Sequence, residues 1–231
     1  MLNMIYPENC TGCGINTSAP FRYFCWECLN ETPKIEAPFC RLCGDPVFGL
    51  VQHDYVCFNC SREKPFFDAA RSAVRYDGVI AGALRDLKYH SALWMVSDLA
   101  LLIYMCVQAE FFAQKFDVVT AVPLHAARYR ARGFNQSAEL GRALARRMQL
   151  PFRAGLLRRI RSTGTQTGLT APQRTDNVCG AFKTGIRARV KGRRILLVDD
   201  VMTTGATVNA CAKALKRNGA ALVCVITVAR G

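Results

Sequence analysis

Two groups of side chains in this sequence are spaced in ways that chemistry can use. The stretch ILLVDDVMTTGATV, Ile195 to Val208, sets four apolar residues before two adjacent carboxylates, a Thr-Thr-Gly turn and small residues that can open a helix. Hydroxyls and the N–H groups of a helix N-terminus donate to phosphate oxygens, and the helix dipole adds partial positive charge there. Asp199 and Asp200 stand directly before that anion seat, where they would repel a phosphate. The expected ligand is therefore mixed. A phosphate suits Thr203, Thr204, Gly205, Ala206 and Thr207, and hydroxyls or a metal ion suit the carboxylates. An ordinary strand-to-helix turn with Asp caps would need both carboxylates, both threonines and the glycine to coincide by accident.

The second group is cysteine. Eight of the 12 cysteines form C-x-x-C pairs, Cys10/Cys13, Cys25/Cys28, Cys40/Cys43 and Cys57/Cys60, and Gly14 and Gly44 follow two of them. Such a turn puts two thiolates on one side of a tight loop, and two turns complete a closed tetrahedral zinc site. Two structural Zn2+ ions are expected. Sequential pairing, Cys10–Cys28 on one ion and Cys40–Cys60 on the other, closes the shorter loops and is preferred; a cross-braced pairing satisfies the same spacing. A disulfide framework would not stay oxidised in a cytoplasmic chain, and a redox pair has no need of fourfold repetition. His53 reads as a surface histidine, and Cys106, Cys179, Cys211 and Cys224 as core residues.

The elements that must position these groups read as alternating strands and helices. After the linker-like SREKPFFD come a strand in AARSAVRY, a helix over 78–89, a core helix over 94–107 and the strand DVVTAVP. NQSAELGRALARRMQ follows as a helix with Asn135 as N-cap, then the buried strand RRILLV, a helix closed by Gly219 and the last strand ALVCVITVA. Alternation of this kind predicts an α/β fold, a parallel sheet flanked by helices, with ligands beyond the carboxyl ends of the strands. Two strand ends then converge: PLHAARYRARGFNQ after one, DDVMTTGATV after the other. A long polar segment, Leu157 to Val178, lies between them and reads as a lid or binding loop. No G-x-x-x-x-G-K-[ST] is present, and no G-x-G-x-x-G follows a strand.

Charge and composition bound the partners. The chain has 231 residues, 51% hydrophobic, with a net charge of +14. From Arg128 to Arg194 there are 17 Lys and Arg against 2 Asp and Glu, so one region holds the excess. That is the footprint of a surface facing phosphates or nucleic acid, against the plainer reading of a solvated face. MLNMIYPENC carries no basic stretch followed by an apolar run, so no secretory signal is expected. ALWMVSDLALLIYMCV, interrupted by Ser97 and Asp98, is short of a membrane span and reads as a core helix of a cytoplasmic protein.

VDDVMTTGAT resembles the phosphoribosyl pyrophosphate (PRPP) loop of type I phosphoribosyltransferases. The resemblance gives Asp199 and Asp200 to the ribose hydroxyls, with Mg2+ as the accompanying metal, and Thr203 to Thr207 to the 5′-phosphate. Pro123, Leu124 and His125, with Arg128 beyond, then form the pyrophosphate turn. The cysteine ribbons, FDAARSAVRYDG, LRDLKYH, AVPLHAARYRARGFNQ, TGTQTGLTAPQRTDNVCGAF and the loop together resemble the ComF family over nearly the whole chain. This implies a double zinc ribbon over 1–67 and a phosphoribosyltransferase-like domain over 68–231. It also implies a role in natural transformation: handling incoming single-stranded DNA in the cytoplasm, with other competence proteins as further partners. Arg146, Arg147, Arg158 and Arg159, read as lying away from the phosphate turn, are the expected DNA contacts. Two rival readings are a conventional phosphoribosyltransferase of nucleotide or amine metabolism, and a zinc-ribbon adaptor on an inert sheet. No base-binding pocket is evident in the sequence, which leaves catalysis open.

Overall fold

The computed structural model describes residues 9–47, 49, 51, 54–161, 178–186 and 188–231. His53, and residues 162–177 of the expected lid, lie outside the described residues. The fold is built on four parallel strands, β1 (Ala69–Arg75), β2 (Val118–Ala121), β5 (Arg194–Met202) and β6 (Leu222–Arg230), in the order β1-β6-β5-β2. A separate antiparallel pair, β3 (Leu157–Arg159) and β4 (Phe182–Thr184), closes the base of the segment expected to be all loop.

The central strands are apolar on both sides because both sides are covered. Leu196, Val198, Ile226 and Val228 face one core with α3 (Gly78–Tyr89), α4 (Val96–Glu110) and α6 (Gln136–Arg147). Ile195, Leu197, Val223 and Val225 face the other, with α7 (Ala206–Arg217) and the β3–β4 pair. Leu93–Glu110, which contains α4, has the length and composition of a membrane span, but Leu99, Ala100 and Ile103 of it are fully buried in the first core. In PLHAARYRARGFNQ the turn at Pro123 leads into a helix, α5 (Ala126–Arg132), capped by His125 at its start and by left-handed Gly133 at its end.

Each cysteine ribbon is built into one face of this sheet. Phe21, Phe24 and Leu29, the last on the short helix α1 (Trp26–Glu31), join the first core, and Asp98 at the start of α4 accepts from the backbone N–H groups of Arg22 and Tyr23 at 2.7 and 2.8 Å. Cys40, Cys43, Cys57 and Cys60, the last on α2 (Phe58–Arg62), join the second core. The edge of β1 is covered by ribbon backbone: Ala70 N–H donates to the Leu42 carbonyl and Arg75 N–H to that of Pro33. An unpaired strand edge is a template for misassociation, and this covering removes it. SREKPFFD is not a loose linker. Phe67 is buried, Phe66 N–H donates to Asn209 Oδ1 at 2.6 Å, and Asp68 pairs with Lys216 at 2.7 Å.

Candidate functional site

Strand β5 does not end at Val198, where its apolar run stops, but continues to Met202, so Asp199 and Asp200 lie within it. Strand alternation turns them to opposite sides of the sheet. Asp200 meets Lys88 at the end of α3, Nζ to Oδ2 2.6 Å, and Gln136 Nε2 at 3.5 Å. Asp199 accepts from Ser137 Oγ at 2.7 Å. Both carboxylates are buried. Burial, then the neighbouring Asp200 charge, pushes the Asp199 carboxyl up to about 7. Burial works against the Lys88 ammonium, but the Asp200 carboxylate outweighs it and holds the amine above its ordinary range. Lys88, Gln136 and Ser137 were not singled out in the sequence, because each reaches the carboxylates only through packing of α3 and α6 across 62 or more residues.

Beyond the carboxylates the chain turns at Thr203 and Thr204. Gly205, in the left-handed conformation, precedes α7, which Ala206 and Thr207 open. Ala206 N–H donates to Thr204 Oγ1 at 3.4 Å. The turn holding Pro123, Leu124 and His125 lies beside this strand end: Val122 N–H donates to the Val198 carbonyl at 3.0 Å, and Asn135 Nδ2 donates to the Val122 carbonyl at 3.0 Å. His125 is used locally, its Nδ1 accepting from Ala127 N–H at 3.3 Å. The two strand ends, the start of α6 and the end of α3 thus meet at one place.

Of the four arginines expected to contact DNA, three are exposed. Arg146 and Arg147 lie on the last turn of α6, with Arg147 reaching Ser97, and Arg158 lies on β3. Arg159 departs from the expectation. It is turned inward over the Phe182 ring at 5.3 Å, and burial, then the nearby Arg128 charge, lowers its guanidinium pKa, while Asp199 opposes that shift. The alternation of β3 therefore separates two adjacent arginines that look alike in sequence, and Arg159 belongs with Arg128 and Asp199, not with the outer face.

The thiolates group sequentially. The sulfurs of Cys10, Cys13, Cys25 and Cys28 lie within 4.8 Å of one another, and so do those of Cys40, Cys43, Cys57 and Cys60. The Cys13–Cys25 and Cys43–Cys57 sulfurs are 3.6 and 3.7 Å apart. A tetrahedron with metal–sulfur bonds of about 2.3 Å has an edge of about 3.8 Å, so both sets fit Zn2+. The turn glycines Gly14 and Gly44 are left-handed, and a Cβ on Gly44 would stand 2.6 Å from the Ala70 carbonyl oxygen. At the second set, Arg230 of β6 pairs with Asp45 at 2.9 Å and donates to the Cys43 carbonyl at 2.8 Å. A cleft of about 1470 Å3 opens between this ribbon and the threonine turn, with Cys60, Arg62 and Phe66 on one wall and Thr203, Thr204 and Lys213 on the other.

A parallel sheet with paired carboxylates and a threonine turn at a strand end, carrying two four-cysteine modules, defines a type I phosphoribosyltransferase-like domain joined to a double zinc ribbon. Family models agree: a double zinc ribbon domain matches residues 1–61 and a phosphoribosyl transferase domain matches residues 135–231. Competence protein F of Haemophilus influenzae is 29% identical over 225 residues, 96% of each chain. DNA utilization protein YhgH of Escherichia coli K12 is 31% identical over 210 residues, 89% of each. Competence protein ComFC of Bacillus subtilis is 27% identical over 208 residues, 87% of this chain and 81% of that one. The chain belongs to this ComF family.

Proposed function

We propose that this protein handles incoming single-stranded DNA in the cytoplasm during natural transformation, and that its strand-end site binds PRPP or a related phosphoribosyl ligand. The observation that carries the ligand reading is the continuity of the site. Two buried carboxylates, held by Lys88 and Ser137, lead within three residues to hydroxyls and a helix N-terminus. Asp199 and Asp200 take the ribose hydroxyls, with Mg2+ beside them. Thr203 to Thr207 wrap the 5′-phosphate, and Pro123, Leu124, His125 and Arg128, joined by Arg159, face the pyrophosphate. Mg2+ would neutralise pyrophosphate charge there, while the chain's own groups orient the ribose. The DNA reading is supported by the exposed Arg146, Arg147 and Arg158, by the excess of positive charge between Arg128 and Arg194, and by the competence and DNA-utilization names of the relatives.

Replacing Asp199 and Asp200 together by Asn keeps their shape and removes their charge. Calorimetric affinity for PRPP with Mg2+ is expected to fall at least tenfold, about 1.4 kcal/mol. Equal affinity would remove the ribose assignment.

The open cleft beside the threonine turn favours a second reading, a working phosphoribosyltransferase with an acceptor seated against the second ribbon. Release of pyrophosphate from PRPP across a panel of nucleobases and amines would establish it. Ligand binding with no release would leave DNA handling as the function.

A further inference from the structure

A second cleft, of about 620 Å3, lies at the opposite end of the sheet from the carboxylates. Its walls come from Asp117 and Val118 at the start of β2, the segment between α6 and β3, the segment after β4, and Arg193 just before β5. Arg193 immediately precedes β5 and Asp199 lies in its carboxyl-terminal half, so roughly 20 Å of extended chain separates this cleft from the phosphoribosyl site.

Four arginines line it: Arg153, Arg158, Arg189 and Arg193. All four are exposed, and among the described residues none has an ion pair or a side-chain hydrogen bond. The one carboxylate in the lining, Asp117, already accepts from the Arg194 N–H through Oδ2 at 2.8 Å. The arrangement is built into the backbone. Gly185 N–H donates to the Leu156 carbonyl at 3.0 Å, and a Cβ on Gly185 would stand 2.1 Å from the Gly155 oxygen. Only glycine lets the two loops meet, and their meeting sets Arg153 and Arg158 beside Arg189. Guanidinium groups that line one cleft without a paired counter-charge raise its positive potential and offer phosphates forked hydrogen bonds.

We infer that this cleft seats the phosphate backbone of single-stranded DNA. The inference rests on the DNA-handling reading above and gives it a place. A single strand is favoured over a duplex because the arginines surround apolar surface: Pro151, Leu156 and Ala188 line the cleft, and Ile186 is 92% exposed in it. Unstacked bases can lie on such a surface, whereas a duplex keeps its bases inside. The two sites sit at opposite strand ends, so DNA and the phosphoribosyl ligand can bind at the same time.

The test uses the full zinc-loaded chain and a fluorescent oligothymidine. Single-strand binding loses about 0.7 in log–log salt slope per phosphate contact removed. Replacing Arg153, Arg158, Arg189 and Arg193 by Gln is expected to flatten the slope by about two to three and to weaken binding at least tenfold. Arg146→Gln with Arg147→Gln is expected to have the smaller effect. An unaltered slope in the fourfold variant, with the wild type binding normally, would overturn the cleft and leave DNA handling standing. No oligothymidine binding by the wild type would overturn both. Equal affinity for a duplex of the same length would overturn the single-strand assignment. A measurement independent of the variant's folding places photo-reactive benzoylphenylalanine at Ile186 and, for comparison, at Met105 on α4. Crosslinking of oligothymidine from position 186 and not from 105 supports the cleft, and the reverse overturns it.

Discussion

Asp199 is the residue on which site and stability meet. Its carboxyl is raised to about 7 by burial and by Asp200, far above the ordinary carboxylate range near 3.9. The folded chain therefore holds a proton there that the unfolded chain releases. Stability from this group is fully present below about pH 4 and is lost as pH rises through about 7. Urea unfolding of the zinc-loaded, ligand-free protein between about pH 5.5 and 7.5, where the thiolates keep their metal, is expected to show stability falling with pH. Asp199→Asn, neutral throughout, should flatten that fall. Parallel curves for the two proteins would mean that the carboxylate is ionised across the range.

At the scale of elements, α4 shows why a polar residue interrupts an apolar helix. Asp98 accepts from the N–H groups of both Arg22 and Tyr23 and fastens the first ribbon to the helix. Asp98→Ala removes two part-buried hydrogen bonds to a charged acceptor, each worth about 1.5–3 kcal/mol. A loss of at least about 2 kcal/mol is expected, with faster release of one zinc ion to a chelator while the other is held. Equal release rates for both ions would show that Asp98 serves α4 alone. In the sequence Asp98 is an interruption, and its partners lie more than 70 residues away. The same limit explains which other elements were legible. The zinc ligands were, because C-x-x-C spacing is local chemistry, and so were the long strands and helices with their apolar periods. The continuation of β5 through Asp199 and Asp200 was not, because Ser137 and Lys88 make it tolerable from other elements. Nor was the inward turn of Arg159, which depends on a three-residue strand pairing with β4.

For the whole molecule, the ribbons are structural members of the sheet. The second is fastened by Arg230, by the Leu42 carbonyl on β1 and by the buried thiols of the second core. Zinc binding supplies folding free energy to such modules, so its loss reaches the faces they cover. Purified protein is expected to contain about two zinc ions per chain, consistent with two ligand sets. Cys40→Ser with Cys43→Ser should remove one ion and lower the melting temperature of the sheet along with the ribbon. A lost ion with unchanged melting of the sheet would show that the ribbon is independent.

The strand order has a consequence for how the molecule is made. Among the described residues β1 has no sheet neighbour but β6, the last strand in sequence, and Arg230 at the end of β6 is also the tie to the second ribbon. A nascent chain cannot join β1 to the rest of its sheet until Leu222–Arg230 have left the ribosome. At roughly 5–20 residues per second, that comes on the order of ten to thirty seconds after the cysteines emerge. Until then Phe67, which packs in the second core with Val223 and Val225 of β6, lacks part of its cover, and exposed apolar surface of that kind makes aggregation during synthesis the expected hazard.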